Sequence, residues 1–572
     1  MLFRSYCWKV RIWDGADYLT DYSEPQAFRT VLERSAVTTP NAFQWEEIAP
    51  VETVVRGDGT QFIDFGRAAF GTLWLGYQPE AAEELTVRLG EKLEDGAIDR
   101  NPGGTIRVQE VKLTVEPGGG PYLLQWPPDR RNTSGAAILL PKEFGVVMPF
   151  RYCEIEGAGQ PISKADVHQR ALFHYFEDGH SNFTCSDERL NAIWEMCRYT
   201  MKMTSFAGIY IDGDRERIPY EGDAYINQLG HYAVDREYAI ARRTIEHFMD
   251  HPTWPTEWLL HTSMMVAQDY WYTGNLELLE AYYDRLKAKT LIELAREDGL
   301  ISVQSDKVDG EFMRRIGFSN PNERLRDLVD WPAGERDGHE MLPINTVVNS
   351  FFYHNMVVME ELAALIGRDA ESRRFGEMGR KVRRTINEKL LDPEQGIYLD
   401  GEGSTHSSLH SNMLPLAFGL VPAEHRESVT AFVKSRGMAC SVYAAQFLME
   451  ALYQAGEEQY ALDLMRSTDE RSWWNMLAAG STVAMEAWAM KYKPNSDWNH
   501  AWGAVPANII PRYLWGIEPA EPGFGRVRIA PRMADLGHCA IQVQTPRGGI
   551  EARFERTRSE ERRVGKECRS RW

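Results

Sequence analysis

The densest group of residues that could do chemistry lies at positions 211–224. From Asp212 to Asp223 the chain carries five carboxylates and two arginines around two glycines, a proline and a tyrosine. Like charges this close repel, so at least one carboxyl should keep its proton near neutral pH if the loop is buried, as a general acid requires. A solvated acidic loop or a Ca²⁺ loop is the alternative. An EF-hand is excluded because the Glu required at its twelfth position is absent.

A second candidate is Glu486, whose neighbours at positions 483–490 are almost all apolar. A lone carboxylate in such surroundings must be paired, functional, or at a helix end that faces a cavity. Shortly afterwards, the segment 497–503 brings His500 and the indoles of Trp498 and Trp502 close to a predicted helix start. His500 could equally be a hydrogen-bonded core histidine.

Two carboxyls from distant parts of the chain that meet in a cavity lined by Trp are the arrangement that glycoside hydrolysis requires. One carboxylic acid protonates the departing oxygen, and the other carboxylate acts on the opposite face of the sugar. We therefore predict that a carboxyl of the acidic loop at 211–224 and Glu486 face one cavity. The 17 Trp and 24 Tyr of the chain suit stacking against sugar rings, although many of them will be core residues.

The elements that must position these residues change character along the chain. Positions 50–184 hold short alternating strands at 62–65, 85–89, 122–126 and 150–155, separated by clusters of Gly, Pro, Asn and Asp, which predicts an antiparallel β-sandwich. From Ser186 onwards helical patterns follow one another to about position 515 without strands between them. They include predicted helices at 478–490 and 499–514, and their number fits six αα-hairpins closed into a toroid. After Pro519 the β pattern resumes.

Composition limits the partners. The net charge of −19 argues against binding to nucleic acid or to anionic lipid, and no run of about 18 apolar residues predicts a membrane span. The seven cysteines are scattered and odd in number, which favours a reducing compartment and slightly favours the cytoplasm. The sequence leaves open whether a signal peptide has been lost, and it leaves open the oligomeric state, with a dimer among the options. No metal cluster, phosphate loop or Ser/His/Asp order is present, so we predict no cofactor and no metal.

Four segments together resemble the α-L-rhamnosidases of glycoside hydrolase family 78. The run from Asp214 to Arg217, followed by Tyr220 and by Gly-Asp-Ala at 222–224, is similar to the family signature RDERxGWTGDA. Positions 482–488 are similar to its TxxWExW segment, and Asn499-His500 with Gly503 to its NHYxxG segment. The segment 185–199 looks like the first helix of the family's barrel, and the resemblance covers roughly residues 6–557.

The resemblance implies an all-α (α/α)6 barrel flanked by β-sandwich domains, and an inverting reaction that releases terminal α-L-rhamnose from plant glycosides or polysaccharides. It implies that Glu216 is the general acid and Glu486 the general base, with their carboxyls about 6.5–9.5 Å apart. It also implies that a further set of residues binds the sugar: Asp212, Asp214, Arg215, Tyr220, Asp223, Trp258, Trp331 and His500.

The sequence departs from the family pattern in the shell around the sugar. The usual DCPQRDE start is shortened to 212–216, so Asp212 and Asp214 both stay candidates for the role of its first Asp. Tyr220 stands where the family has Trp before Gly-Asp, and Met485 where it has Trp before the base. An (α/α)6 glycosidase for another sugar, or a non-catalytic carbohydrate-binding protein, therefore stays an alternative. The pair Glu216 and Glu486 argues against a protein that only binds.

The same patterns predict domain boundaries. Residues 558–572 have no pattern in common with the preceding chain and resemble a translated sequencing adaptor. Residues 1–30 resemble the end of an accessory β domain. The predicted segments are 1–30 (accessory fragment), 31–184 (β-sandwich), 185–516 (catalytic barrel), 517–557 (truncated C-terminal β domain) and 558–572 (artefact).

Overall fold

The structure is a computed structural model that describes residues 4–9, 11, 20–24, 26–30, 37–556 and 564–565. It divides into two compact units, Met1–Thr39 and Pro40–Trp572. In the first unit an antiparallel hairpin pairs β1 (Arg4–Trp8) with β2 (Gln26–Thr30). The predicted artefact at 558–572 lies outside the described residues, apart from 564–565.

The second unit begins with a sheet whose eight strands all pair antiparallel. The strands of this sheet and of a small hairpin beside it are β3 (Phe43–Ile48), β4 (Glu52–Val55), β5 (Gln61–Leu75), β6 (Glu83–Gly90), β7 (Leu93–Glu94), β8 (Ala97–Ile98), β9 (Val108–Val115), β10 (Tyr122–Leu123), β11 (Met148–Glu156) and β12 (Val167–His174), of which β7 and β8 form the hairpin. The long central strand β5 pairs with β12 and β11 along its sides and with β4 and β10 at its ends, in the overall order β3-β12-β5-β11-β6-β9. The predicted strands at 62–65, 85–89 and 150–155 are confirmed, whereas the strand predicted at 122–126 ends at Leu123.

A helical region follows, and its apolar faces form the largest core of the protein. The first helix begins where the Asp187 carboxylate accepts hydrogen bonds from the N–H groups of Arg189 and Leu190. The helices are α1 (Glu188–Met203), α2 (Glu221–Val234), α3 (Ala239–Asp250), α4 (Thr256–Leu259), α5 (His261–Thr273), α6 (Glu277–Lys289), α7 (Gly310–Arg315), α8 (Thr346–Leu365), α9 (Asp369–Lys389), α10 (Leu409–Ala417), α11 (Arg426–Arg436), α12 (Ala445–Ala455), α13 (Glu458–Met465), α14 (Trp473–Ala478) and α15 (Pro506–Ile509). None of the described helices is both long and apolar enough to cross a membrane.

The C-terminal β segment pairs with a strand that precedes the helices. The strand β13 (Asn182–Cys185) is hydrogen-bonded to β18 (His538–Thr545), and the sheet continues through β19 (Gly548–Glu555) to β20 (Val564–Gly565). Two hairpins complete the strands, β14 (Leu391–Asp392) with β15 (Ile397–Tyr398) and β16 (Ile517–Pro519) with β17 (Val527–Ile529). The β13–β18 pairing therefore joins the segment before the helical region to the segment after it.

Two predicted helices are wrong. Residues 479–500 form no helix, because their backbone groups bond to distant segments instead of to the next turn: Ala484 N–H donates to Thr200 Oγ1, and Glu486 N–H donates to the Asp497 carbonyl. The run around Glu486 is apolar because it is buried on all sides, so it has no helical period. The helix predicted at 499–514 is broken into a 3-10 turn, α15 and a π turn, with prolines at 506 and 511.

The eight-stranded sheet packs on the helical region through Phe70, whose ring stacks on Phe206 with centroids 3.7 Å apart. Both side chains are buried. We predict that Phe70→Ala lowers the free energy of unfolding by about 3–5 kcal/mol, because it removes a large ring from a closed core. Urea unfolding monitored by Trp fluorescence measures it, with the exposed Leu139→Ala as control. Equal stability of Phe70→Ala and wild type would contradict the packing described.

Candidate active site

The acidic loop is fixed by its own backbone before it reaches α2. Asp212 N–H donates to the Ile218 carbonyl over 2.9 Å, and the Asp212 carboxylate accepts the N–H of Ile218. Gly222, at the start of α2, has no room for a side chain, because a Cβ there would lie 2.5 Å from the ring of Trp258. This close approach brings the indole of Trp258 against the loop that carries Glu216.

One cavity of about 210 Å³ collects nine of the ten site residues predicted from the sequence. These residues are Asp212, Arg215, Glu216, Tyr220, Asp223, Trp258, Trp331, Glu486 and His500. The structure adds Trp254, Leu328, Lys493 and Asn495, which the sequence analysis missed, and Trp502, which it named only as a neighbour of His500. Of these, Lys493 had a signal in the sequence, since it is a charged residue seven positions after Glu486 in an aromatic run.

Asp214 is the exception, and its role in sugar binding stays a prediction that its position does not support. It does not line the cavity, because its carboxylate is buried and fully engaged by the guanidinium groups of Arg107 and Arg217. Burial alone would raise the pKa of Asp214, but these two cations hold it below its usual range. Arg107 comes from the β region and also binds Asp129, so Asp214 fastens the acidic loop to that region.

Glu216 lies at the accessible side of the cavity, with 37% of its side chain exposed. Its carboxylate accepts a hydrogen bond from the Tyr220 hydroxyl over 3.2 Å, and the Arg215 guanidinium stands 3.5 Å away. The tyrosine that replaces the family's Trp at this position thus contacts the predicted acid through a hydroxyl group, which an indole lacks. Tyr220 also meets Trp258 edge to face, with centroids 5.8 Å apart.

Glu486 occupies the opposite environment, with only 2% of its side chain exposed. Arg215 binds it with two hydrogen bonds of 2.7 and 3.0 Å, and Lys493 Nζ lies 2.9 Å from Oε1. Burial alone would raise the pKa of Glu486, but the positive charge around it lowers the pKa below its usual range. Burial also lowers the pKa of His500 to about 3, so its imidazole is neutral at pH 7. Arg215 and Lys493 therefore keep Glu486 ionised.

Two further carboxyls line the cavity, and their pKa values shift in the opposite direction. Burial, and then the charges of neighbouring carboxylates, raises the pKa of Asp212 and of Asp223 well above the usual value. One oxygen of each carboxyl, Asp212 Oδ2 and Asp223 Oδ1, and the ring nitrogen His500 Nδ1 have no hydrogen-bond partner within the part of the chain described. Buried polar atoms without partners are costly, so these atoms are suited to bind the hydroxyls of a ligand.

Trp331 reaches the cavity because Asp330 beneath it is anchored. The buried Asp330 carboxylate accepts hydrogen bonds from His410 Nε2 over 2.7 Å and from the backbone N–H of Ser441 over 2.9 Å. Trp331 itself is 38% exposed.

Among the residues that the structure describes, no group of His, Cys, Asp and Glu could hold a metal ion. The cavity therefore combines indoles, two carboxyls of raised pKa and one carboxylate of lowered pKa, a set that suits acid–base chemistry on a hydroxylated ligand.

Comparisons with known proteins identify the family of the chain. The sequence model of the bacterial alpha-L-rhamnosidase six-hairpin glycosidase domain matches residues 178–514, and that of the bacterial alpha-L-rhamnosidase C-terminal domain matches residues 516–564. The helical region is thus of the six-hairpin glycosidase class. The chain belongs to the bacterial alpha-L-rhamnosidase family, and the resemblance seen in the sequence is confirmed.

Individual relatives are distant. An alpha-L-rhamnosidase of Formosa agariphila is 20% identical over 90% of this chain and 55% of its own length. The alpha-L-rhamnosidase structure from Dictyoglumus thermophilum superposes with a TM-score of 0.72 at 19% identity, over 94% of this chain and 60% of that one. A family GH78 rhamnosidase of Bacillus sp. GL1 gives 0.67 at 20% identity, over 93% and 54%. The chain spans about half the length of the curated relative it matches.

The two aspartates of the acidic loop provide a matched test. We predict that Asp214→Asn lowers the free energy of unfolding by about 3–5 kcal/mol at pH 7, because it leaves the buried Arg217 without its counterion and Arg107 with Asp129 alone. Asp212→Asn should cost little, because burial raises the pKa of Asp212 and so disfavours its charged form in the folded state. Since the raised pKa of Asp212 destabilises the wild type as pH rises above the usual Asp pKa, Asp212→Asn should gain stability relative to wild type between pH 4.5 and pH 7.

Urea unfolding of the two variants and the wild type at both pH values measures these effects. If Asp214→Asn were as stable as wild type at pH 7, or if Asp212→Asn were the more damaging of the two, the assignment of the two side chains would be wrong.

Proposed function

We propose that this protein is an inverting glycoside hydrolase that releases terminal α-L-rhamnose from plant glycosides or polysaccharides. The observation that carries the proposal is the contrast between two carboxyls of one cavity, a partly exposed Glu216 and a buried, ionised Glu486. Inverting hydrolysis needs one group that donates a proton to the leaving oxygen and one that accepts a proton from water.

The proposed reaction assigns one proton transfer to each carboxyl. Glu486 accepts a proton from the attacking water, and Glu216 gives a proton to the glycosidic oxygen as the bond to the sugar breaks. Arg215 contacts both carboxylates, so it fixes their relative position. Lys493 and Arg215 hold Glu486 in the ionised state that a base needs.

The sugar is proposed to bind over the indoles of Trp258 and Trp331, with its hydroxyls at Asp212, Asp223 and His500. The unpartnered polar atoms of these last three residues support this arrangement. A Streptomyces avermitilis alpha-L-rhamnosidase complexed with L-rhamnose has the same fold, with a TM-score of 0.70 at 15% identity over 91% of this chain. Family membership therefore supports rhamnose as the sugar.

We infer also that the helical hairpins close into an (α/α)6 toroid over residues 185–516 and that the eight-stranded sheet of 31–184 folds into a sandwich. The start of α1 at Glu188 and the start of β16 at Ile517 support domain limits near 184 and 517. The expected division of the first thirty residues and of the C-terminal segment stays a proposal.

Hydrolysis of 4-nitrophenyl glycosides tests the function. We expect turnover of the α-L-rhamnopyranoside and at least tenfold lower kcat/KM on the other 4-nitrophenyl sugars. Turnover of a different sugar would keep the catalytic pair and replace rhamnose by that sugar. A folded protein that hydrolyses none of them would favour a carbohydrate-binding protein and contradict the proposal.

The roles of the two carboxyls differ in their dependence on the leaving group. Glu216→Gln should lose about 10²–10⁴-fold in kcat on an alkyl rhamnoside but little on 2,4-dinitrophenyl rhamnoside, which departs without a proton. Glu486→Gln should lose about as much on both substrates, because the water always needs its base. The exposed Glu280→Gln serves as control. Equal losses of Glu216→Gln on both substrates would contradict its role as the acid.

A further inference from the structure

Four apolar side chains of the catalytic cavity come from two segments of the chain. Trp254 and Trp258 belong to the first segment, and Leu328 and Trp331 belong to the second. We call these four side chains the apolar wall. Its three indoles offer flat surfaces on which a sugar ring can stack, so the relative position of the two segments sets the shape of that surface.

The two segments lie side by side through hydrogen bonds between their backbones. Arg326 N–H donates to the Trp254 carbonyl over 3.1 Å, and Thr256 N–H donates to the Arg326 carbonyl over 3.0 Å. Both bonds involve Arg326, so they fix the second segment two residues before Leu328, where it first lines the cavity.

The Glu257 side chain connects the two segments at the cavity itself. It is buried and does not line the cavity. Its carboxylate accepts hydrogen bonds from the backbone N–H of Leu328, over 3.1 and 3.2 Å, and from that of Val329. Because Glu257 directly precedes Trp258 in α4, one carboxylate joins the backbone beside Trp258 to the backbone between Leu328 and Trp331.

The second segment has a strained backbone next to Trp331. Val329 has a φ of 67°, in the left-handed region that a β-branched residue strongly disfavours. A residue in such a conformation persists only where the surrounding contacts impose it. The hydrogen bond from the Val329 N–H to Glu257 lies at this residue, and the anchored Asp330 follows it. Glu257 therefore helps to hold the strained backbone from which Trp331 projects.

We propose that Glu257 is a positioning residue for the sugar: it holds the apolar wall in the shape that binds the ring, and without its oxygen acceptors the sugar binds more weakly. This inference rests on the proposed function, in which the sugar lies over Trp258 and Trp331. Glu216 and Glu486 lie in other segments, so the loss of Glu257 should change sugar binding far more than the chemical step.

Three variants of Glu257 separate its oxygen acceptors from its size and charge. Glu257→Met has nearly the same length and no such acceptor. For this variant the Kd of L-rhamnose, measured by the change in Trp fluorescence, and KM for 4-nitrophenyl α-L-rhamnopyranoside should both rise about tenfold or more. The value of kcat should stay within about threefold of wild type, because the acid and the base are unchanged.

Glu257→Gln keeps one acceptor oxygen. Burial already raises the pKa of Glu257 to about 7, so the neutral amide is close in charge to the native side chain. The Kd and KM of this variant should stay within about threefold of wild type. Glu257→Asp keeps a carboxylate that is one methylene too short to reach both N–H groups, so its Kd should rise as well.

The matched control is Glu237→Met. Glu237 is also buried, and burial raises its pKa to about 7. Its carboxylate accepts the N–H groups of the consecutive residues Ala239 and Ile240, both over 2.9 Å, but it does not line the catalytic cavity. If Glu257 only stabilised the fold, both Met variants would give the same result, a lower melting temperature with an unchanged Kd.

An unchanged Kd in Glu257→Met, or in Glu257→Asp if Glu257→Met does not fold, would overturn the inference alone. A Glu257→Gln variant that binds as weakly as Glu257→Met, or an equal rise of Kd in Glu237→Met, would do the same. If the wild type binds L-rhamnose and hydrolyses no rhamnoside, the proposed hydrolysis is overturned, whereas the Kd values still decide the inference. A folded wild type that neither binds L-rhamnose nor hydrolyses a rhamnoside would overturn both.

Discussion

The site depends on one cation, Arg215, and on the carboxylates that it holds apart. Its guanidinium binds the buried Glu486 with two hydrogen bonds and stands 3.5 Å from Glu216. Without positive charge beside it, a buried carboxylate would take up a proton and could not act as a base. Arg215 lies farther from Asp212, 3.8 Å from Oδ2, and burial raises the pKa values of Asp212 and Asp223 in the same cavity despite its charge. The contrast between neighbouring carboxyls thus follows from where the cations lie.

The fold provides this contrast by bringing together three distant parts of the chain. The acidic loop precedes α2, Glu486 and Lys493 lie in the irregular segment after α14, and Arg107 comes from the β region and fastens Asp214. The segment that holds Glu486 and Lys493 is irregular, and its peptide groups form hydrogen bonds to neighbouring elements. The tertiary structure therefore sets the direction of its side chains. The buried links between these parts explain why the β region is packed firmly on the helices.

The sequence predicted the parts of the site that depend on residue type and spacing. The acidic loop, Glu486 and His500 were found from their unusual composition, and the order of β and helical regions from period and turn residues. The helix at 478–490 was wrong, because a segment buried on all sides resembles a helix in composition while its backbone bonds elsewhere. The choice between Asp212 and Asp214 depended on Arg107, which lies more than 100 residues away and had no local signal.

The central claim is that Glu486 activates a water while Glu216 protonates the leaving oxygen on the opposite face. The most direct test is ¹H NMR of the anomeric proton during the first minutes of hydrolysis of an α-L-rhamnoside, before mutarotation. We predict that β-L-rhamnose forms first and the α anomer follows slowly, since water enters opposite the departing group. If α-L-rhamnose formed first, one carboxylate would act as a nucleophile, and the account would be contradicted.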